Sequence, residues 1–241
     1  MIHIINRHCK FSNLSANKAR PYYFSRKNCF INLVQTINNN PEVQHHILFD
    51  GDIQGHFLSE YFCLDNLTIL NSGSGAKSFV DAINFALQLN CNEEDIIYFV
   101  EDDYLHQPGW IDVLKEGISI EDNCWISLYD HKDKYYRILN NNIKENYKAM
   151  YKDLKSEITV TNTCHWRTVG STTDTFAIKV KHLTQYKYPM IYFSSIAPHS
   201  LDHDRGIFLT KQGFKLWTPM PGYSTHMEPD YMSPLIDWSK V

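Results

Sequence analysis

The chain has 241 residues, 43% of them hydrophobic and 21% charged, an ordinary globular composition with enough length for one sizeable core. The net charge of −4 and a sequence pI of about 6.3 leave no broad basic field, so nucleic acid is not an expected partner. No apolar run approaches the roughly 18 residues needed to span a membrane, and Met1–Ile5 has neither a basic n-region nor a long h-region; a soluble, cytoplasmic protein is expected.

Six cysteines are scattered without a C-x-x-C pair. Free thiols in a reducing compartment are expected rather than a structural zinc site. The first element is the short apolar run Ile2–Asn6, followed by Arg7. Phe30, Leu33, Val34 and Ile37 then recur at helical spacing. His46–Phe49 is a second apolar run ending at Asp50-Gly51-Asp52, and Leu67–Leu70 is a third, broken by Asn71-Ser72-Gly73-Ser74-Gly75. Ala76, Phe79, Val80, Ile83 and Leu87 mark one face of the next helix. Ile96–Val100 is a continuous apolar run that ends in Glu101-Asp102-Asp103, and Pro108 suits the first turn of a helix carrying Trp110, Ile111, Val113 and Leu114.

This alternation of strand and helix predicts an α/β fold with a central, mostly parallel sheet flanked by helices. Ligands bind such sheets beyond the carboxyl ends of the strands. Topology, rather than sequence proximity, should therefore gather Arg7, Asp50, the Ser72–Gly75 loop and Glu101–Asp103 at one edge. Further along, Lys132–Glu157 reads as a polar excursion, and Trp125–Tyr129, Phe176–Val180 and Phe214–Thr218 read as strands. Ser200 reads as the N-cap of a helix reaching about Gln212. The tail from Pro219 reads as an ordered wrapping segment.

Three carboxylates delivered to one spot by a buried strand repel one another by about 4 kcal/mol per pair at 4 Å. A divalent cation offsets that repulsion, and Mg²⁺ or Mn²⁺ on oxygen ligands commonly bridges to phosphates; a solvated acidic turn is the alternative. Gly73 and Ser74 would let the backbone approach a ligand at a helix N-terminus, with Lys77 adding a cation, although a plain tight turn has the same composition. Asp50 could accept from a base or ribose, or serve only its turn. In the helix after Ser200, Leu201 and Phe208 point to an inward face that includes Asp204 and not Asp202, so Asp204 is the candidate general base; an ion pair is the alternative. His226 follows the last strand and is a candidate metal ligand. His165, Trp166 and Asp174 could shape an acceptor pocket, and core packing is equally open for Trp166.

In this order, the residues resemble the GT-A-fold glycosyltransferases that carry an E-D-D version of the DxD motif. Val100-Glu101-Asp102-Asp103 matches the triplet after a hydrophobic strand. Asn6-Arg7 matches the first-strand pair, Asp50-Gly51 the end of the second strand, Asp202 or Asp204 the late carboxylate, and His226 the late metal-binding histidine. The resemblance spans about residues 1–228. It implies one GT-A domain over 1–241, with a nucleotide-sugar-binding half at 1–105 and an acceptor-binding, catalytic half at 106–241. It implies hexosyl or pentosyl transfer from a nucleoside-diphosphate donor, with uracil as the base, to a glycan or other hydroxyl acceptor, with inversion. Asp103 and His226 would bind the metal, Arg7, Asp50, Glu101 and Asp102 the donor, and Asp204 would take the acceptor proton. No Q-x-x-R-W motif of processive synthases is found, which weighs against polymer synthesis. The alternatives are a sugar-phosphate nucleotidyltransferase, against which the glycine-free stretch Arg7–Ser12 counts, and a non-catalytic nucleotide-sugar-binding protein.

Overall fold

A computed structural model describes residues 1–12, 15–60, 66–135 and 155–241. Its frame is a parallel block of four strands in the order β3-β2-β1-β4: β1 Ile2–Cys9, β2 Val43–Asp50, β3 Leu67–Leu70 and β4 Ile96–Glu101. The second half extends the same sheet as β9 (Phe176–Lys179), β6 (Cys124–Ile126), β10 (Lys215–Met220), β8 (His165–Val169) and β7 (Ile158–Val160). Here β9 runs antiparallel to β4 and β6, while β6 and β10 are parallel. A small separate ladder pairs β5 (Tyr104–His106) with β11 (Ser224–His226).

The run at β1 does not alternate strictly because both faces of the strand are buried. Ile2 and Ile4 pack with Leu33 and Ile37 of α1 (Arg26–Ile37) and with Trp110 and Leu114 of α3 (Trp110–Ile118). Ile5 faces the other way, onto Phe79 and Ile83 of α2 (Gly75–Gln88). Phe79 and Trp110 are both fully buried, and each such side chain contributes about 1.5–3 kcal/mol by leaving water. The two-residue repeat also decides where the polar residues of β1 point. His3 and Arg7 share the face of Ile5, against α2; Asn6 and His8 share that of Ile4.

Three helices complete the α2 side: α4 Val180–Gln185, α5 Lys187–Ser195 and α6 Asp202–Lys211. The sequence pattern does not reveal α4 and α5. On α5, Met190 is buried while Tyr188 and Tyr192 are exposed, so its large apolar residues do not form one stripe. The helix expected from Ser200 begins at Asp202, with Leu201 as its N-cap residue. His165–Val169 is a strand that the sequence pattern does not mark. Within the expected excursion at 132–157, residues 136–154 lie outside the described ones. No helix among the described residues is long and apolar enough to cross a membrane.

Candidate active site

The carboxyl ends of β1, β2 and β4 open onto a cavity of about 750 Å³, within the range of roughly 300–1,000 Å³ common for small-molecule sites. Arg7, Asp50, Gly73, Ser74, Glu101, Asp102, Asp103, Asp174 and His226 all line it. Four separate strand ends and one late strand therefore converge as the parallel topology requires.

Asp103 and His226 meet through the β5–β11 ladder. His226 pairs with Tyr104 in register, the Met227 N–H donates to the Asp103 carbonyl at 2.9 Å, and the Tyr104 ring stacks on the imidazole. His226 Nε2 then lies 3.0 Å from Asp103 Oδ2. Two ligands at right angles on an ion with bonds of about 2.1 Å sit about 3 Å apart. A carboxylate oxygen and an imidazole nitrogen so placed could hold a divalent cation, the imidazole favouring Mn²⁺ over Mg²⁺. Arg20 donates to the same Oδ2 at 2.8 Å and to the Met227 carbonyl at 2.8 Å. Burial alone would raise the Asp103 pKa, but His226 and Arg20 outweigh it and hold the carboxyl well below its usual range. Its neighbours go the other way. Burial pushes Asp102 up to about 7 despite Arg26, whose Nε lies 3.2 Å from Oδ2. Burial likewise raises Glu101 despite Arg7, 3.5 Å away. One triplet thus holds a firmly ionised carboxylate beside two that protonate more readily.

The glycine loop is held by the protein's own carboxylate. Asp50 accepts from the Ser72 N–H at 2.7 Å and from the Gly73 N–H at 3.1 Å. Gly73 has φ +73°, a conformation a side chain disfavours, and Ser74 caps α2 by accepting from the Lys77 N–H at 3.3 Å. Lys77 contributes this amide while its side chain is exposed and outside the cavity lining among the described residues. Arg7 Nη1 donates to the Gly75 carbonyl at 3.2 Å, tying the loop back to β1.

The opposite wall is built on Asp174. Arg205 pairs with its Oδ1 at 2.8 Å, Ser200 Oγ donates to the same atom at 3.1 Å, and Arg7 stands 3.8 Å from Oδ2. Arg205 is fully buried, with its guanidinium between the Phe79 and Phe176 rings. This buried cation orients α6 and corrects the expected inward face. Arg205, Gly206 and Leu209 face in, whereas Phe208 is 39% exposed. Asp204 is consequently exposed and away from the cavity, and Asp202 lines it. Reading the face from apolar residues alone failed because the residue that anchors it is charged. Burial, then the neighbouring Asp174, raises the Asp202 pKa against the pull of Arg205 and Lys134. His165 and Trp166 also lie away from the cavity. His165 is exposed on β8, and Trp166 is fully buried in the core with its Nε1 donating to Thr161 Oγ1 at 3.0 Å.

Sequence reasoning missed the cations that follow β1. Lys18 and Arg26 line the cavity and Arg20 sits on Asp103. Lys18 and Arg20 lie between β1 and α1, where the sequence has no periodicity, Arg26 is the first residue of α1, and Arg20 meets a partner 83 residues away. Cys9 also lines the cavity, its N–H donating to Asp102 Oδ2 at 3.4 Å.

No protein-family model matches the sequence. No curated protein matches it either. Among solved structures, GalNAc-T7 with UDP, GalNAc and Mn²⁺ superposes with a TM-score of 0.60 at 9% identity over 93% of this chain. The *fold* is GT-A. S. aureus TarS 1–349, in complex with UDP-GlcNAc, aligns over 90% of this chain with a TM-score of 0.46 at 13% identity. The chain spans 42% of the GalNAc-T7 chain and 55% of that TarS chain. Both neighbours are glycosyltransferases of the GT-A type.

Proposed function

We propose that the chain transfers a sugar from a nucleoside-diphosphate donor, with uracil as the base, to an acceptor hydroxyl with inversion, assisted by Mn²⁺ or Mg²⁺. The observation that carries this reading is Asp103 Oδ2 at 3.0 Å from His226 Nε2, at the carboxyl edge of a GT-A sheet. The GalNAc-T7 structure of the same fold holds UDP and Mn²⁺. Asp103 and His226 would hold the ion, which when bound supplies Lewis-acid stabilisation of the diphosphate leaving group.

The chain's own groups do the rest. Lys18 and Arg26 line the cavity and bring positive charge to the donor phosphates. Arg7 fixes the loop ahead of α2, whose N-terminus favours anions. Asp202 replaces Asp204 as the base. Its raised affinity for a proton suits it to accept the acceptor hydroxyl's proton as the sugar carbon is attacked. Asp174 is held by Arg205 and Ser200 and orients the acceptor side. The test is product analysis with UDP-sugars and simple hydroxyl acceptors: release of UDP with an inverted anomeric product supports the reading, and release of pyrophosphate from a nucleoside triphosphate contradicts it.

One observation favours a second reading. Arg20 already places a permanent positive charge on Asp103 Oδ2, so Arg20 itself could neutralise the diphosphate without an ion. Turnover that survives exhaustive chelation and fails in Arg20→Ala would establish that version.

A further inference from the structure

A second cluster of ligand-type side chains lies at the other end of the sheet. β1 and β4 begin there, and the connection from α2 to β4 crosses beneath them. His3 falls on the α2 face of β1, Asp95 immediately precedes β4, and Cys91 lies on the connection. One ligand atom from each of His3, Cys91 and Asp95 lies within 4.8 Å of the other two. His3 and Asp95 are buried, while Cys91 is half-buried and leaves a route from solvent.

The hydrogen bonds aim the histidine. His3 Nδ1 faces His46 Nε2 at 3.3 Å, with the two rings stacked. A metal-bound histidine generally engages its other ring nitrogen in such a contact, which fixes the ring and its tautomer. That leaves His3 Nε2 toward Asp95 Oδ2 at 3.9 Å, too far for a hydrogen bond. Tetrahedral zinc, with bonds of about 2.0–2.3 Å, sets its ligands roughly 3.3–3.8 Å apart, so small side-chain rotations close the triad around one ion. Asp95 is itself held in place: Oδ2 accepts from the Asn92 N–H at 2.8 Å and Oδ1 from the Met1 amino group at 2.8 Å. Asn92 Nδ2 also donates to Oδ2 at 3.4 Å, so the lone pair available to a cation is on Oδ1.

We propose that His3, Cys91 and Asp95 bind a zinc-class divalent cation, independent of the donor cavity, with water in the fourth position. Mixed nitrogen, sulfur and oxygen donors select zinc over the hard cations expected at Asp103. The bound ion ties the α2–β4 connection to the first strand. It lies at the end of the sheet opposite the donor cavity.

The test uses the full chain, stripped with chelator and titrated with Co²⁺ and then Zn²⁺. Cobalt bound by a thiolate gives a near-ultraviolet charge-transfer band. The expected result is one such band per chain, displaced by one equivalent of Zn²⁺. It should be retained in Asp103→Ala and in Cys9→Ser, which lie at the donor cavity, and lost in Cys91→Ser, with zinc affinity falling at least tenfold. No thiolate band in the unsubstituted chain overturns the site, even if a variant fails to fold. A band that persists in Cys91→Ser or disappears in Cys9→Ser overturns it equally.

Discussion

Asp103 stays ionised because His226 and Arg20 both face one of its oxygens, and this fixes what each substitution should do. Asp103→Ala removes the carboxylate on which the proposed ion depends. Donor affinity in the presence of Mn²⁺ should fall at least about tenfold, roughly 1.4 kcal/mol, as read by calorimetric titration with UDP. Asp202 and Asp204 make a sharper pair. Asp202→Asn should keep donor binding and lower kcat by about 10²–10⁴, whereas Asp204→Asn, exposed and away from the cavity, should transfer at the rate of the unsubstituted chain. Equal rates in the two variants would remove Asp202 from the role. The pH dependence follows from the same side chain. A base must be ionised to act, and burial raises the Asp202 pKa. Activity should therefore be lost as pH falls through a value above the ordinary aspartate pKa of about 3.9, and the profile should lack that acid limb in Asp202→Asn.

At the scale of elements, α6 is positioned by a buried charge and a close approach. Gly206 sits so near the turn at Gly170 that an added Cβ would come within 2.5 Å of the Gly170 carbonyl oxygen. Gly206→Ala should cost about 1–3 kcal/mol by overpacking, measured by urea denaturation, and should disturb Asp202 through the helix that carries it. Arg205→Met would leave Asp174 without its 2.8 Å partner, and breaking such a buried pair costs about 3–5 kcal/mol. These contacts explain why the sequence misdirects the reading of this helix. Leu201 and Phe208 suggest a face, but Arg205 defines it through partners on Asp174, Phe79 and Phe176 that lie far away in the chain. The strands of the parallel block were readable because each carries a short apolar run bounded by polar or turn residues; only β4 is a continuous apolar run buried on both faces, while Ile69 of the edge strand β3 is exposed. The ladder that brings His226 to Asp103 was not readable as pairing. Its strands are three residues each and separated by more than a hundred positions, so local pattern holds no register information.

For the whole molecule, one sheet carries both halves of the chain, and its carboxyl edge collects residues from Arg7 to His226 around one cavity. The acidic triplet, Arg7, Asp50 and the glycine loop could be placed there from strand order alone, because parallel topology dictates the edge. The cations could not: Lys18 and Arg20 lie between β1 and α1, where no periodicity gives a face or direction, and Arg26 opens α1 ahead of the apolar spacing that marks the helix. In the proposed function this edge binds a nucleoside diphosphate through a divalent ion on Asp103 and His226. This binding is tested most directly by thermal shift with UDP, with Mn²⁺, and with both, on the unsubstituted chain and on Asp103→Ala. UDP with Mn²⁺ should raise the Tm well beyond the sum of the two separate effects, by about 2.7 kcal/mol of stabilisation at 100 times Kd, and Asp103→Ala should abolish the excess. A rise with UDP that is the same with chelator as with Mn²⁺, and unchanged in Asp103→Ala, would contradict it.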